Sequence, residues 1–215
     1  MSPCPVVIAD RVLMIRVEYL PVRGLARLPG KMTKIIYSLL SACLLGVLPI
    51  NTVVAGEVRL LIDTERARLT VLEEGVIVRE FDGIAIGRFG TTRYKKKGDN
   101  MTPLGTFQIG WMTQNTRYHR FLGFDFPDLK TASRGMFNGS IDKAQWLRIR
   151  RDIRAGKTPS QATPLGGYLG IHGIGEGDIE VHRQLNWTNG CVALTNEQVD
   201  RLAEWVKVGT EVEIR

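Results

Sequence analysis

The sequence predicts a mainly β domain built from mixed sheets, with two peripheral helices. Short runs rich in β-branched residues follow one another between 57 and 112, whereas amphipathic helical patterns occur only near 140–155 and 196–208. The 215-residue chain is 44% hydrophobic and 24% charged, which provides enough apolar side chains for one folded core. No repeat and no linker divides residues 57–215, so a single domain is expected there.

The strands are predicted from β-branched runs that end at turn residues. They are EVRLLID (57–63), the hairpin ARLTVLEEGVIVREFDGIAIG (67–87), GTFQIGWM (105–112) and TEVEI (210–214). The hairpin turns at Gly75, and a short strand within 166–178 runs into a glycine-rich turn. The polar segment 89–105 is predicted to be a loop in which the run Lys95–Lys97 is solvated.

The two helices are predicted from capping residues and from apolar periodicity. The first lies within 138–159, where Ser140 is the expected N-cap and four arginines form a solvated face. The second follows Thr195, whose spacing from Gln198 is that of a capping box, and Gly209 is its expected C′ residue. Its apolar stripe consists of Val199, Leu202, Ala203 and Val206.

Residues 32–55 have the pattern of an export signal: a lysine near the start, an apolar run, and small residues ending at Ala55. We therefore expect cleavage after Ala55 and a mature domain over 56–215 in the periplasm or cell envelope, with no stable membrane span. Residues 1–31 are then an N-terminal extension that results from a start codon assigned too early. An uncleaved anchor and a lipid on Cys43 are the alternatives.

The charge of the mature domain argues against a nucleic-acid partner. The whole chain has a net charge of +7, but residues 56–215 hold 23 basic and 20 acidic side chains, a net charge of only +3. Export to the envelope also separates the protein from cellular nucleic acid, so this class of partner is not expected.

Cys191 is the only cysteine of the predicted mature domain. A lone cysteine in an oxidising compartment cannot form an internal disulfide, which favours a functional role. A thiol needs a basic partner to act as a nucleophile, and His172 stands at the end of an apolar strand. The pair suits acyl transfer, with loop amides near Gly190 and Cys191 stabilising an oxyanion. From spacing alone, a structural cysteine and an unrelated core histidine stay an open alternative.

The segment around these two residues resembles the catalytic motif of the L,D-transpeptidases, the YkuD family. His172 is followed by fifteen residues and then by Thr188-Asn189-Gly190-Cys191, as in the family's pattern of a His, a spacer and Ser/Thr-x-Gly-Cys. MTPLGTF (101–107) is similar to an earlier signature of the family, and residues 58–75 resemble its opening hairpin. The resemblance spans nearly all of 57–215 and implies an L,D-transpeptidase-type β-sandwich.

The resemblance also implies that Cys191 is the nucleophile, that His172 is the base, and that the backbone carbonyl of Gly173 orients His172. Gly190 and Asn189 are then expected beside the oxyanion. The chain departs from the family at two positions: Asn189 stands where His is frequent, and the frequent Arg or Asn is missing two positions after Cys191. Asn189 can still donate a hydrogen bond, but the missing arginine leaves the donor or acceptor preference open.

Three further residues are candidates for substrate contact: His182, Thr188 and Trp187. A structural role is the alternative for His182, and core packing is the alternative for Trp187. A zinc site from His172, His182 and Cys191 is not expected, because the spacing lacks close ligand pairs and a fourth ligand is missing. No metal and no cofactor is predicted.

Together these features predict an enzyme that acylates Cys191 with a tetrapeptide stem of peptidoglycan and transfers the stem to an amine acceptor. A hydrolase with the same site, which trims a stem or detaches a protein from the wall, is the first alternative. A non-catalytic envelope binding module is the second, and an inert Cys191 would favour it. The shape of the groove selects the acceptor, so the sequence alone does not separate transfer from hydrolysis.

Overall fold

The computed structural model describes residues 56–215 together with two short segments, Val7–Ile8 and Arg11–Val12. These two segments pair antiparallel as strands β1 and β2. The rest of the predicted extension over 1–31 and the predicted signal over 32–55 lie outside the described residues, so both stay predictions. Among the residues that are described, no helix is both long enough and apolar enough to cross a membrane.

Residues 56–215 form a mainly β fold, which confirms the predicted fold class. The strands are β3 (Val58–Asp63), β4 (Arg68–Glu73), β5 (Val76–Asp82), β6 (Thr91–Thr92), β7 (Thr102–Pro103), β8 (Gly105–Thr116), β9 (His119–Phe124), β10 (Gly170–His172), β11 (Val192–Ala193) and β12 (Glu211–Ile214). Eight of them form one sheet in the order β11-β10-β9-β8-β12-β3-β4-β5, and β6 pairs with β7. The sheet is mixed, because β10–β11 and β3–β12 are parallel and its other pairs are antiparallel.

The long strand β8 joins the two halves of this sheet. Its first residues, Gly105–Gln108, pair with β12, whereas the residues from Ile109 onward pair with β9. The register shifts between Ile109 and Trp111, and an irregularity of this kind bends a strand. Both halves contribute to one core, which includes Leu60, Ile62, Leu69, Phe107, Leu122, Phe124, Ile171 and Leu194.

Within residues 56–215 four helices lie beside the sheet, so the prediction of two helices there was wrong in number. They are α1 (Leu129–Phe137), α2 (Lys143–Arg154), α3 (Ile179–Gln184) and α4 (Asn196–Ala203). The two predicted helices correspond to α2 and α4. Helix α3 has six residues, too few for an apolar stripe to repeat along the sequence, and α1 contains Gly135, a residue with low helix propensity.

The capping box of α4 is confirmed. The Gln198 backbone N–H donates to Thr195 Oγ1 at 3.1 Å, and the Thr195 N–H donates to Gln198 Oε1 at 3.0 Å. The helix nevertheless ends at Ala203, so Gly209 is not its C′ residue. Gly209 instead lies, with a φ of +93°, in the turn before β12, where its N–H donates to the carbonyl of Ile109.

The N-cap of α2 is Asp142, so the prediction of Ser140 was wrong. The Gln145 N–H donates to Asp142 Oδ1 at 2.7 Å, and the Asp142 N–H donates to Gln145 Oε1 at 3.0 Å. This is a complete capping box, which needs Gln or Glu three residues after the cap. Lys143 stands three residues after Ser140, so Ser140 cannot form the second half of such a box.

Candidate active site

The ends of β10 and β11 place the two predicted catalytic residues in one cavity. The strands are parallel neighbours in which His172 pairs with Ala193, and Cys191 directly precedes β11. Since residues two apart on a strand point to the same face, Cys191 and His172 project from the same side of this pair. Both side chains line a cavity of about 650 Å³.

His172 is buried and held in one tautomer. Its Nδ1 lies 2.7 Å from the backbone carbonyl oxygen of Gly173. A carbonyl can only accept, so Nδ1 carries the proton and Nε2 presents its lone pair. Burial lowers the pKa of His172 from 6.5 to about 4, against the opposing effect of the Gly173 carbonyl. The ring is therefore neutral near pH 7 and is able to accept a proton.

Aromatic rings fix the plane of the His172 imidazole. The ring of Tyr118 stacks on it with centroids 4.3 Å apart, and Trp187 meets it edge-on at 5.7 Å. Tyr118 comes from the turn between β8 and β9, whose backbone approaches the glycine-rich loop after β10. The carbonyl of Arg117 lies 2.1 Å from where a Cβ on Gly175 would stand, so this approach requires glycine.

Cys191 rests as a thiol rather than a thiolate. Its Sγ lies 3.5 Å from the carbonyl oxygen of Tyr168, to which the S–H donates. Burial raises the pKa of the thiol from 9.0 to about 11, although a backbone group at Gly170 and the charge of Lys95 act in the opposite direction. The resting pair is thus a neutral thiol and a neutral imidazole, which suits transfer of a proton during attack.

Hydrogen bonds inside the loop fix the segment before Cys191. The buried Thr188 hydroxyl donates to the Cys191 carbonyl at 2.7 Å, and it accepts the Gly190 N–H at 3.1 Å. The Gly190 amide is therefore already occupied, although it was predicted to stand beside an oxyanion. Within residues 56–215 the Cys191 N–H has no hydrogen-bond partner, which leaves it available to an acyl oxygen.

Gly190 fits only as glycine, and Gly190→Ala should destabilise the fold. Its φ is +124°, and an added Cβ would lie 2.6 Å from the Met101 carbonyl oxygen and 3.1 Å from Lys95 Nζ. We expect Gly190→Ala to lower the free energy of unfolding by about 3 kcal/mol, measured by urea denaturation. Gly98→Ala is the matched control, since Gly98 has a φ of +81° but open space around it, and its cost should be only about 1 kcal/mol. Equal losses in the two variants would contradict this packing argument.

The other predicted site residues fall into two groups. Asn189 and Trp187 line the cavity, and Arg88 donates to Asn189 Oδ1 at 2.8 Å and to the Trp187 carbonyl at 3.2 Å. The Asn189 side-chain NH₂ is thus the group left for a ligand. His182 is buried behind Trp187 and does not line the cavity; its Nδ1 accepts from Trp187 Nε1 at 3.3 Å.

Several cavity residues were not identified from the sequence. They include Arg88, Arg117, Tyr118, Phe121 and Tyr168. Arg88 and Arg117 bring positive charge to the cavity, although the arginine that is frequent in the family two positions after Cys191 is missing. Arg88 reaches the site because its N–H donates to the Thr188 carbonyl at 3.0 Å. No local pattern signals such a pairing across about a hundred residues.

No group of three His, Cys, Asp or Glu side chains with the geometry of a metal site occurs in the part of the chain that the structure describes. Among those residues, Cys191 is a free cysteine. The prediction that the site needs neither a metal nor a cofactor stays a prediction.

The YkuD family model, described as the L,D-transpeptidase catalytic domain, matches residues 57–214. No match is found among curated proteins. Similar solved structures include the helical cell shape determining protein Pgp2 from Campylobacter jejuni, with 21% identity, a TM-score of 0.50 and coverage of 75% of this chain and 48% of that chain.

Two other solved structures are similar at lower scores. Bd1075 of Bdellovibrio bacteriovorus has 19% identity and a TM-score of 0.45, and the match covers 77% of this chain and 50% of that chain. An L,D-transpeptidase of Enterococcus faecium has 12% identity and a TM-score of 0.44, with coverage of 75% and 50%. This chain therefore spans about half the length of these three proteins.

Proposed function

Since the chain belongs to the YkuD family of L,D-transpeptidase catalytic domains, we propose that it is a cysteine acyltransferase that acts on the stem peptides of peptidoglycan. The observation that carries the proposal is the neutral pair of Cys191 and His172 in one cavity. The substrate lies in the cell envelope, so the proposal includes export of residues 56–215.

In the proposed acylation step, Cys191 Sγ attacks the carbonyl carbon before the terminal D-amino acid of a tetrapeptide stem. The S–H proton moves to Nε2 of His172, and the Cys191 N–H donates to the resulting oxyanion. The C–N bond then breaks, the imidazolium returns its proton to the leaving amine, and a thioester remains on Cys191. The Gly173 carbonyl stabilises the imidazolium, because it accepts the Nδ1 proton throughout.

In the proposed transfer step, the amine of an acceptor stem attacks the thioester carbonyl. His172 takes the proton released by the amine, the C–S bond breaks as the new amide bond forms, and His172 returns the proton to Sγ, which restores the thiol of Cys191. Arg88 and Arg117 line the same cavity and offer positive charge to the carboxylates that both stems carry. Water in place of the amine would give hydrolysis, and this is the difference between the proposed function and the hydrolase alternative.

The proposal is tested by incubating the purified protein with a defined disaccharide-tetrapeptide and identifying the products by mass. We expect loss of the terminal D-amino acid together with a cross-linked dimer, both absent with Cys191→Ala. Loss of the amino acid without a dimer would assign the hydrolase function instead. If neither product forms under conditions in which the protein is folded, the acyltransferase proposal is wrong.

A further inference from the structure

Lys95 is a buried lysine in a run of three that was predicted to be solvated. Only 4% of Lys95 is exposed, whereas its neighbours Lys96 and Lys97 are exposed as expected. A lysine side chain is rarely buried to this extent unless a partner holds its charge. The prediction of a solvated run was wrong at this one position, and the burial needs an explanation.

The partner of Lys95 is Asp99, which also shapes the loop around it. Lys95 Nζ and Asp99 Oδ1 form an ion pair in which the carboxylate is itself largely enclosed. The Asp99 carboxylate also accepts two backbone hydrogen bonds. Oδ2 accepts the Lys96 N–H at 2.8 Å, and Oδ1 accepts the Met101 N–H at 3.0 Å. Asp99 therefore fixes the position of the ammonium group relative to the loop ending at Met101.

The ammonium of Lys95 lies against the loop that carries Cys191. A Cβ on Gly190 would stand 3.1 Å from Lys95 Nζ, and 2.6 Å from the carbonyl oxygen of Met101. Lys95 is not among the residues that line the cavity of Cys191 and His172, so its ammonium does not contact the space that a substrate would occupy. Gly190 directly precedes Cys191, so this positive charge lies close to the Gly190–Cys191 peptide, whose N–H has no hydrogen-bond partner within residues 56–215.

Building on the proposed acyl-transfer function, we propose that Lys95 is a positioning residue whose buried ammonium stabilises the negative charge that develops on Cys191 Sγ and on the acyl oxygen. The charge is enclosed by protein, so salt screens it weakly and its field acts on the loop at short range. His172 cannot supply this field in the resting protein, because its ring is neutral. The charge of Lys95 lowers the pKa of the Cys191 thiol, whereas burial raises it.

Other charged and titratable groups also face the site. Those that line the cavity with Cys191 are Arg88, Arg117, Tyr118, Tyr168 and His172. Arg88 is engaged with Asn189, and Arg117 stacks on Tyr118 with its guanidinium carbon 4.5 Å from the ring centroid. These groups are common to the wild type and to the variants below, so a difference between the proteins reports the Lys95–Asp99 pair.

The test compares the wild type with a double variant that carries both Lys95→Met and Asp99→Asn. This double variant removes the ion pair without leaving an unpaired carboxylate. Lys97→Met is the matched control, because Lys97 is exposed. The readouts are the iodoacetamide alkylation rate of Cys191 at fixed pH and the ultraviolet absorbance of its thiolate, with Cys191→Ser as the blank. We expect alkylation near pH 8 to slow by about tenfold and the thiolate titration to move up by about one pH unit. Lys97→Met should change neither readout.

A displaced loop alone would slow alkylation without moving the thiolate titration, and that result would overturn the proposal. An unchanged alkylation rate in a folded double variant would overturn it as well. If the double variant does not fold, Lys95→Gln replaces it, because the glutamine amide can still donate to Asp99. An unchanged alkylation rate or an unchanged thiolate titration in Lys95→Gln would then overturn the proposal.

The outcome is separable from that of the proposed function, because neither readout requires a peptide substrate. If the wild type fails to process stem peptides but the Cys191 titration moves when Lys95 is removed, the acyltransferase proposal fails and the electrostatic role of Lys95 stands. If stem peptides are processed and the titration of Cys191 does not move, the acyltransferase proposal stands and the electrostatic role of Lys95 fails.

Discussion

Cys191→Ser is expected to lower the rate of acylation by at least about 10⁴-fold, the largest effect of any single change proposed for this protein. The reason is the acidity of the nucleophile. Burial already raises the pKa of the Cys191 thiol to about 11, and a serine hydroxyl in the same surroundings is far less acidic than the thiol. The neutral imidazole of His172 is too weak a base to activate a hydroxyl without a further partner.

A carbapenem is a suitable probe, because its strained acyl group should form a stable thioester with the thiol. Intact-mass analysis of the wild type should show one added drug mass, and peptide mapping should place it on Cys191. Cys191→Ser and Cys191→Ala should show no adduct within the same time. Cys191 is a free and partly buried cysteine, so the two variants should keep thermal unfolding midpoints close to that of the wild type.

An adduct that persists in Cys191→Ala would locate the nucleophile elsewhere and contradict the assignment. Absence of an adduct in the folded wild type would favour the non-catalytic binding module. In that case the cavity of about 650 Å³ would remain a binding site without a reaction.

The sequence predicted the parts of the fold that depend on neighbouring residues. The hairpin of β4 and β5 turns at Glu74-Gly75, both with positive φ, and this local geometry is readable from the glycine and the β-branched runs beside it. The capping box of α4 is local in the same way. Strand β9 was not predicted, because TRYHRF lacks a regular alternation, and its pairing with β8 and β10 comes from the tertiary fold.

For the candidate site, the sequence predicted the pair but not its surroundings. The fifteen-residue spacer between His172 and Thr188 indicated the two catalytic candidates, and the parallel pairing of β10 with β11 explains why this spacing brings them together. Burial of Lys95 depends on Asp99 and on Gly190, which lies 95 residues further along the chain. A run of three lysines carries no information about which one faces inward, so only the folded chain distinguishes Lys95 from its neighbours.

His172→Gln is expected to lower the rate of carbapenem acylation by about 10²–10⁴-fold, the range typical for loss of a general base. Glutamine can still donate to the Gly173 carbonyl, so the variant removes the proton acceptor while keeping that hydrogen bond. The thermal unfolding midpoint should therefore change little. A similar loss of acylation in Trp187→Phe would indicate that packing against the imidazole, rather than the base itself, determines the rate.

The pH dependence of acylation distinguishes a general base from a purely structural histidine. Burial lowers the pKa of His172 to about 4, so the proton-accepting form is present above that pH and is lost as the pH falls through it. The wild-type rate should therefore stay nearly constant from about pH 5 to 8 and halve near pH 4. If His172 had its usual pKa of about 6.5, the acylation rate would already fall by half near pH 6.5.

In His172→Gln only the thiolate can attack. Since burial raises the pKa of Cys191 to about 11, the acylation rate of this variant should rise about tenfold per pH unit from about pH 5 to 8. Parallel pH profiles for the wild type and His172→Gln would show that His172 does not accept the thiol proton.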